Sequence, residues 1–215
     1  MNAFIRKQEY NYINRCMRDL NSAFRNCMDY KMIEANQSYI QEKILNLFPY
    51  LSEEERHLLD ISKIKDSSQI DKFLNGLTDY VYGMPTITNT EISKLFKKEK
   101  KLKLPDLAVQ DSPNVYLGWI DQGSRKLFIV YNLNDKFVGM GCRLPDINAK
   151  HTNVCTLCNH IGPRNEVAFV SPVCKTKDAY RSLGFYICLD SMKCNERIES
   201  TDKLEKILKD VNNIK

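Results

Sequence analysis

Apolar positions in the first eighty residues fall at helical spacing. Ile13, Met17, Leu20 and Phe24 stand at i, i+4, i+7 and i+11, one stripe of an α-helix. Cys16 and Cys27 lie beside that stripe as small core fillers. A second helix is predicted over 31–48, with Ile33, Ile40, Ile44 and Phe48 toward the core and Pro49 ending it. Ser52-Glu53-Glu54-Glu55 is a capping-box pattern, followed by Leu58, Leu59 and Ile61. Asp66-Ser67-Ser68-Gln69 opens a fourth helix carrying Ile70, Phe73, Leu74, Leu77 and Val81. Four helices with short connections predict an antiparallel bundle over 1–83.

Gly83-Met84-Pro85 marks a domain boundary, so a second domain is expected over 84–215. Thr88-Asn89-Thr90-Glu91 caps a helix bearing Ile92, Leu95 and Phe96. The period then changes to that of strands, predicted over 115–120, 126–131 and 136–144. The short turns between them, Asp121 to Ser124 and Asn132 to Asp135, imply an antiparallel meander. Further strands are predicted over 166–170 and at Phe185-Tyr186-Ile187. An amphipathic helix from about Asp202 places Leu204, Ile207, Leu208, Val211 and Ile214 on one face. That face must bury against its own domain or the bundle. The fold class is α+β, an N-terminal antiparallel helical bundle followed by a C-terminal α/β domain with an antiparallel sheet.

Four thiols punctuate the second domain. Cys155-Thr156-Leu157-Cys158 is followed, after 29 residues, by Cys188 and then Cys194. Zinc in a closed site takes four soft ligands in a tetrahedron. A C-x-x-C turn supplies two from one tight bend. Cys188 ends an apolar strand, and Cys194 falls in the first turn of a helix, where the dipole favours a thiolate. A knuckle facing a strand-to-helix corner is treble-clef geometry, and one structural zinc is the reading. Spacing alone leaves open a set of buried free cysteines and a redox C-x-x-C, although no βαβ pattern surrounds Cys155 and Cys158. Cys174 and His160 are spare candidate ligands. Four thiolates leave no position for a substrate water, so such a site stabilises the fold and does not catalyse.

Composition narrows the function. With 215 residues and 43% hydrophobic positions the chain can build a real core. A net charge of +5 is too mild an excess to argue by itself for nucleic acid. No signal peptide and no membrane-length apolar run is visible. Eight cysteines in such a chain imply thiols and metal in the cytoplasm rather than disulfides. No Walker loop, GxSxG elbow or HExxH occurs, and His57, His151 and His160 are dispersed. His57 is expected on the surface. No enzyme activity and no small-molecule substrate are therefore expected. The segment Lys97-Lys98-Glu99-Lys100-Lys101-Leu102-Lys103 reads either as a solvated helix end or as a docking patch for an acidic partner or RNA. Aromatics do not interleave the lysines, which argues against stacking on single strands.

Several stretches together carry a resemblance. They are Tyr10-Asn11-Tyr12-Ile13, Leu95-Phe96-Lys97-Lys98 onward to Pro105, Leu117-Gly118-Trp119, Arg125-Lys126, Ile129-Val130-Tyr131, and Asp135-Lys136 with Gly139 and Gly141. The most specific are Cys155-x-x-Cys158-Asn159 and Tyr186-Ile187-Cys188-x-Asp190-Ser191-x-x-Cys194-Asn195. With these the chain resembles the FusB-type fusidic acid resistance proteins, which bind elongation factor G (EF-G). The resemblance implies a helical N-terminal domain and a C-terminal treble-clef zinc finger holding one zinc ion through four cysteines. It implies a protein that releases EF-G from ribosomes on which fusidic acid has trapped it, leaving the drug unaltered. The family's contact surface lies around the finger, and its Tyr is kept as Tyr186. Val154, Leu183 and Ile207 stand where the family has Phe, Lys and Phe. Lys97, Lys98, Lys100 and Lys101 are the second set of candidate partner-binding residues. A monomer is expected, touching the ribosome only indirectly. The alternative is a zinc-finger protein that binds RNA or the ribosome through Lys97 to Lys103.

Overall fold

A computed structural model describes residues 2–107, 113–144, 151–174 and 183–214. The chain divides into two compact units, Met1–Val81 and Tyr82–Lys215.

The first unit begins with β1 (Ile5–Arg6) and α1 (Lys7–Asn26), continues through α2 (Tyr30–Leu45), α3 (Glu53–Leu58) and α4 (Ser67–Leu77), and ends in a 3-10 turn (Thr78–Tyr80). β2 (Val81–Tyr82) then pairs with β1. The stripe on α1 faces inward: Ile13, Met17 and Leu20 are fully buried, Cys16 nearly so, while Phe24 is half-buried near the helix end. Cys27 lies past that end and is only half-buried, so it is no core filler. α3 and α4 start where their caps dictate. Ser52 and Glu55 exchange both capping-box bonds, and Asp66 accepts from the Ser68 and Gln69 N–H groups. α3 is six residues long, so the unit rests on α1, α2 and α4.

α2 stops at Leu45, three residues before the predicted end. The chain tightens there, with Leu47 N–H donating to Ile44 O at 3.2 Å and Phe48 N–H to Leu45 O at 3.1 Å. A residue before proline is pushed out of the α region, so Phe48 ahead of Pro49 cannot continue the helix. Phe48 still packs on the core, its ring 5.8 Å from that of Phe4. Two glutamines of α2 hold the α3–α4 connection. Gln41 Nε2 donates to Leu59 O at 3.1 Å, its Oε1 accepts from Ile61 N–H at 2.7 Å, and Gln37 Nε2 donates to Ile64 O at 2.9 Å.

The second unit carries α5 (Asn89–Leu95), then β3 (Leu117–Asp121), β4 (Lys126–Leu133) and β5 (Lys136–Arg143). A small hairpin follows, β6 (Thr152–Val154) with β7 (Ile161–Pro163). β8 (Val167–Pro172), β9 (Phe185–Cys188), α6 (Ser191–Asn195) and α7 (Asp202–Asn212) complete it. The main sheet is antiparallel in the order β3-β4-β5-β8-β9. Its β4–β5 turn is two residues, Asn134 and Asp135, with φ of 49° and 60°. That is the left-handed pair a tight hairpin needs.

β4 is buried on both faces, which is why its sequence shows no alternation. Leu127, Ile129, Tyr131 and Leu133 join one core with Leu204, Leu208 and Val211 of α7. Phe128 and Val130 join another with Ile92 and Phe96 beside α5. In that second core the rings of Phe96, Trp119 and Phe128 lie 5.0–5.8 Å apart. Gly139 and Gly141 make room for them: a Cβ would sit 2.7 Å from Phe96 and 3.0 Å from Phe128. The last helix therefore buries against its own unit, and Tyr131 Oη–H donates to its Glu205 at 2.8 Å. Ile214 is not on the buried stripe. Asn213 turns left-handed, with φ of 55°, ends the helix, and leaves Ile214 exposed.

Candidate metal centre and its exposed face

The C-x-x-C bend is a closed knuckle. Asn159 N–H donates to Cys155 O at 2.9 Å, Cys155 N–H to His160 O at 2.8 Å, and Asn159 takes the left-handed φ of 58°. Thr156 N–H donates to Tyr186 O at 2.8 Å, which ties the knuckle to β9. β9 ends in Cys188. Asp190 then caps α6, accepting from Lys193 N–H at 3.0 Å, and Cys194 N–H donates back to Asp190 O at 3.1 Å.

These two corners bring four sulfurs together. Sγ atoms of Cys155, Cys158, Cys188 and Cys194 all lie within 4.8 Å of one another, with Cys155 to Cys194 at 3.9 Å and Cys158 to Cys188 at 3.6 Å. Zinc at 2.3 Å from each of four tetrahedral sulfurs gives an edge of about 3.8 Å, so the four fit one zinc ion. Cys155, Cys188 and Cys194 are buried and Cys158 half-buried. The Cys155 thiol is pushed far below its usual range, because its sulfur accepts from the other thiols and from the Cys158 N–H. Cys188 and Cys194 are pushed up, first by their hydrogen bonds with Cys155 and Cys158. Such a cluster cannot ionise fully without a compensating charge. A doubly charged ion supplies it, and zinc-bound thiols are deprotonated outright. The site holds one structural zinc.

The spare ligands fall outside it. His160 Nε2 lies 3.1 Å from Glu166 Oε2, and its carbonyl serves the knuckle. Cys174 is half-buried and not in the cluster.

Around the metal corner the small hairpin, β8 and β9 carry exposed apolar side chains. Val154 and Ile161 are directly paired and exposed at 51% and 65%. Phe169 and Tyr186 are directly paired too, both 41% exposed, with ring centroids 5.4 Å apart in an edge-to-face arrangement. Phe169 lies over Gly184, where a Cβ would come within 2.1 Å of its Cζ. Tyr186 is thus outside the core, between the buried Phe185 and Ile187. Leu183 and Ile207 differ from it. Both are half-buried against the main core. Lys97, Lys98, Lys100 and Lys101 are exposed, but in turns beyond α5, whose helix stops at Leu95, so they do not form a helix end. Lys126 Nζ holds Glu99 at 2.6 Å, and Trp119 Nε1–H donates to Lys103 O at 2.9 Å.

Ile161 and Phe169 are not marked as surface residues by the sequence. The run Val167-Ala168-Phe169-Val170 is apolar throughout, so it cannot show which face is out. Asn195 stands in the sequence only as part of a motif. Its Oδ1 accepts from Val115 N–H at 2.7 Å and Tyr116 N–H at 3.0 Å, and its Nδ2 donates to Tyr116 O and Ser191 O, each at 2.9 Å. Those bonds explain why β3 starts at Leu117 and not at Val115.

Comparison with known proteins gives three findings. A family model described as elongation factor G-binding protein, N-terminal, matches residues 4–85. Another, described as the FBP C-terminal treble-clef zinc-finger, matches residues 90–213. A solved structure of the fusidic acid resistance protein FusC has the same fold, with a TM-score of 0.78 at 24% identity over 98% of each chain. No curated protein sequence matches.

Proposed function

We propose that this chain, which belongs to the elongation factor G-binding protein family, docks on EF-G with the apolar face of its zinc-bearing unit and thereby frees the factor from ribosomes on which fusidic acid holds it. The family membership supports the partner. The shared fold with FusC, a fusidic acid resistance protein, supports the setting. The observation that carries the surface is the exposed Val154, Ile161, Phe169 and Tyr186 beside a metal-fixed corner.

The backbone under these side chains is held on both sides, by the β8–β9 ladder and by the knuckle bond to Tyr186 O. Little freedom remains to be lost on docking, which favours affinity. Aromatic anchors of this kind are the usual hot spots. No bond need form or break. The chain acts as a monomer in the cytoplasm, by binding alone, and touches the ribosome through EF-G. It can shift EF-G off the ribosome only if it binds the departing form of the factor more tightly than the trapped form.

Titration calorimetry of Tyr186→Ala against purified EF-G tests this. The variant should keep its zinc and its Tm yet bind about thirtyfold more weakly, a loss of ~2 kcal/mol. Loss of Tm together with binding would make Tyr186 a structural residue. If the wild-type chain does not bind EF-G at micromolar concentration, the reading fails.

A further inference from the structure

Two buried hydroxyls beside the metal corner have no hydrogen-bond partner: Tyr116 Oη and Ser191 Oγ. Tyr116 is fully buried and Ser191 is 7% exposed. Buried polar groups are bonded in the great majority of cases, so an orphaned pair at one place asks for an acceptor. The surroundings narrow what it can be. Ser191 opens α6, three residues before Cys194, so the two share a helix face. Gly118 of β3 closes the opposite side with bare backbone. A Cβ there would lie 2.3 Å from Ser191 Oγ and 2.9 Å from Tyr116 Cε2, so position 118 offers no side chain to either hydroxyl. Tyr116 shares one buried core with the ligand cysteines Cys155 and Cys194. Its backbone is clamped by the side chain of Asn195, the residue after Cys194. Phenol and ligand corner therefore move as one piece.

We propose that the Tyr116 hydroxyl is an outer-sphere donor to the sulfur of Cys194 when that sulfur is a zinc ligand, and that this contact sets how tightly the finger holds its metal. A thiolate bound to zinc keeps part of its negative charge and accepts O–H donors. An O–H···S bond draws charge off the sulfur and fixes the ligand's orientation, the way outer partners tune metal sites elsewhere. Tyr116 is then a positioning residue. Its role is independent of whether the protein binds EF-G.

The test is zinc affinity by chelator competition on the full chain, after elemental analysis has shown one zinc in the wild type. Tyr116→Phe removes only the oxygen and keeps the ring. It should weaken zinc binding at least tenfold and shift the sulfur-to-cobalt charge-transfer band of the cobalt-substituted protein. Tyr131→Phe is the control, since its hydroxyl bonds Glu205 of α7. It should leave both readouts unchanged. A Tyr116→Phe variant with wild-type zinc affinity and an unshifted band overturns the proposal, and so does an equal loss in the Tyr131→Phe control. Should Tyr116→Phe not fold, the wild-type protein decides. Loaded with cadmium-113, it should show an exchange-protected tyrosine hydroxyl proton coupled through sulfur to the metal. A rapidly exchanging, uncoupled proton there overturns the proposal equally.

Discussion

Asn195→Ala should be among the most damaging changes to the second unit outside the metal ligands. Asn195 is 2% exposed, and its side chain makes four hydrogen bonds, of 2.7, 3.0, 2.9 and 2.9 Å, to backbone on both sides of the metal corner. Truncation removes all four. It also strands the N–H groups of Val115 and Tyr116, which are buried. At about 1 kcal/mol net per bond, with the stranded donors adding to it, the expected loss is ~3–5 kcal/mol. Unfolding entropy near ~2.1 cal/mol/K per residue over a unit of this size converts that to a fall of roughly 10–18 °C in Tm. The chain has one tryptophan, Trp119, and it lies in this unit, so its fluorescence reports this transition selectively. Urea melts should be read at saturating zinc, because bound metal stabilises by mass action. N195D sharpens the test. It keeps the acceptor for Val115 and Tyr116 but turns a charged oxygen toward two carbonyls, so at neutral pH it should also destabilise strongly. A loss below about 1 kcal/mol in N195A, too small for even one stranded buried donor, or an N195D variant as stable as wild type at pH 7, would refute the reasoning.

Three other changes test separate parts of the structure. Cys188→Ser breaks the zinc site, which in small fingers contributes about 10–16 kcal/mol, as much as a whole domain's stability. Trp119 fluorescence should report an unfolded second unit while helical circular dichroism from the first persists, and Cys174→Ser should keep its zinc. Lys100→Ala with Lys101→Ala should barely change Tm, since exposed charges are worth under about 1 kcal/mol each. If these lysines steer an acidic partner, the double variant should associate more slowly and the wild-type rate should fall with salt; salt-independent association removes them from the interface, and loss of the partner on nuclease treatment points to RNA. The Asp66 carboxyl is held below its usual value of 3.8, chiefly by the Ser68 hydroxyl and then by the Gln69 N–H. Its contribution is therefore full above about pH 4 and is lost as pH falls through the lower folded value. The stability difference between wild type and Asp66→Ala should shrink below pH 4, and a difference constant from pH 7 to pH 3 would count against the cap.

Local rules were legible in the sequence wherever one residue decides one conformation. Ser52, Asp66 and Thr88 each cap the helix they predict, because a cap needs only its own side chain and the next turn. The four ligand cysteines were legible because their spacing suits a metal site and the resemblance selects that reading over buried thiols or a redox pair. What failed needed knowledge of a neighbour. Helix α2 ends before Phe48 because of Pro49 together with a tightened last turn, while the apolar stripe runs on regardless. Ile214 continues the stripe of α7 in sequence and leaves it in space, since Asn213 turns left-handed first. Neither change alters the hydrophobic pattern, so periodicity alone could not see it.

The dipeptide Cys-Asn makes the same point at the site itself. It occurs after each cysteine pair, as Cys158-Asn159 and Cys194-Asn195, and looks like one motif used twice. The two asparagines do different work. Asn159 is chosen for backbone: it takes the left-handed φ of 58° that closes the knuckle, a conformation asparagine tolerates better than most residues. Asn195 is chosen for its amide, whose donor and acceptor both find partners on β3's approach and on α6. The distinction carries to the exposed face. Tyr186 comes with the resemblance and not from its strand pattern, and its partner Phe169 sits in an apolar run with no polar residue to mark the outside. Only the β8–β9 register, pairing Phe169 with Tyr186, shows that both rings lie on one surface. A contact surface on a sheet is a property of register, and register is set by residues distant in sequence.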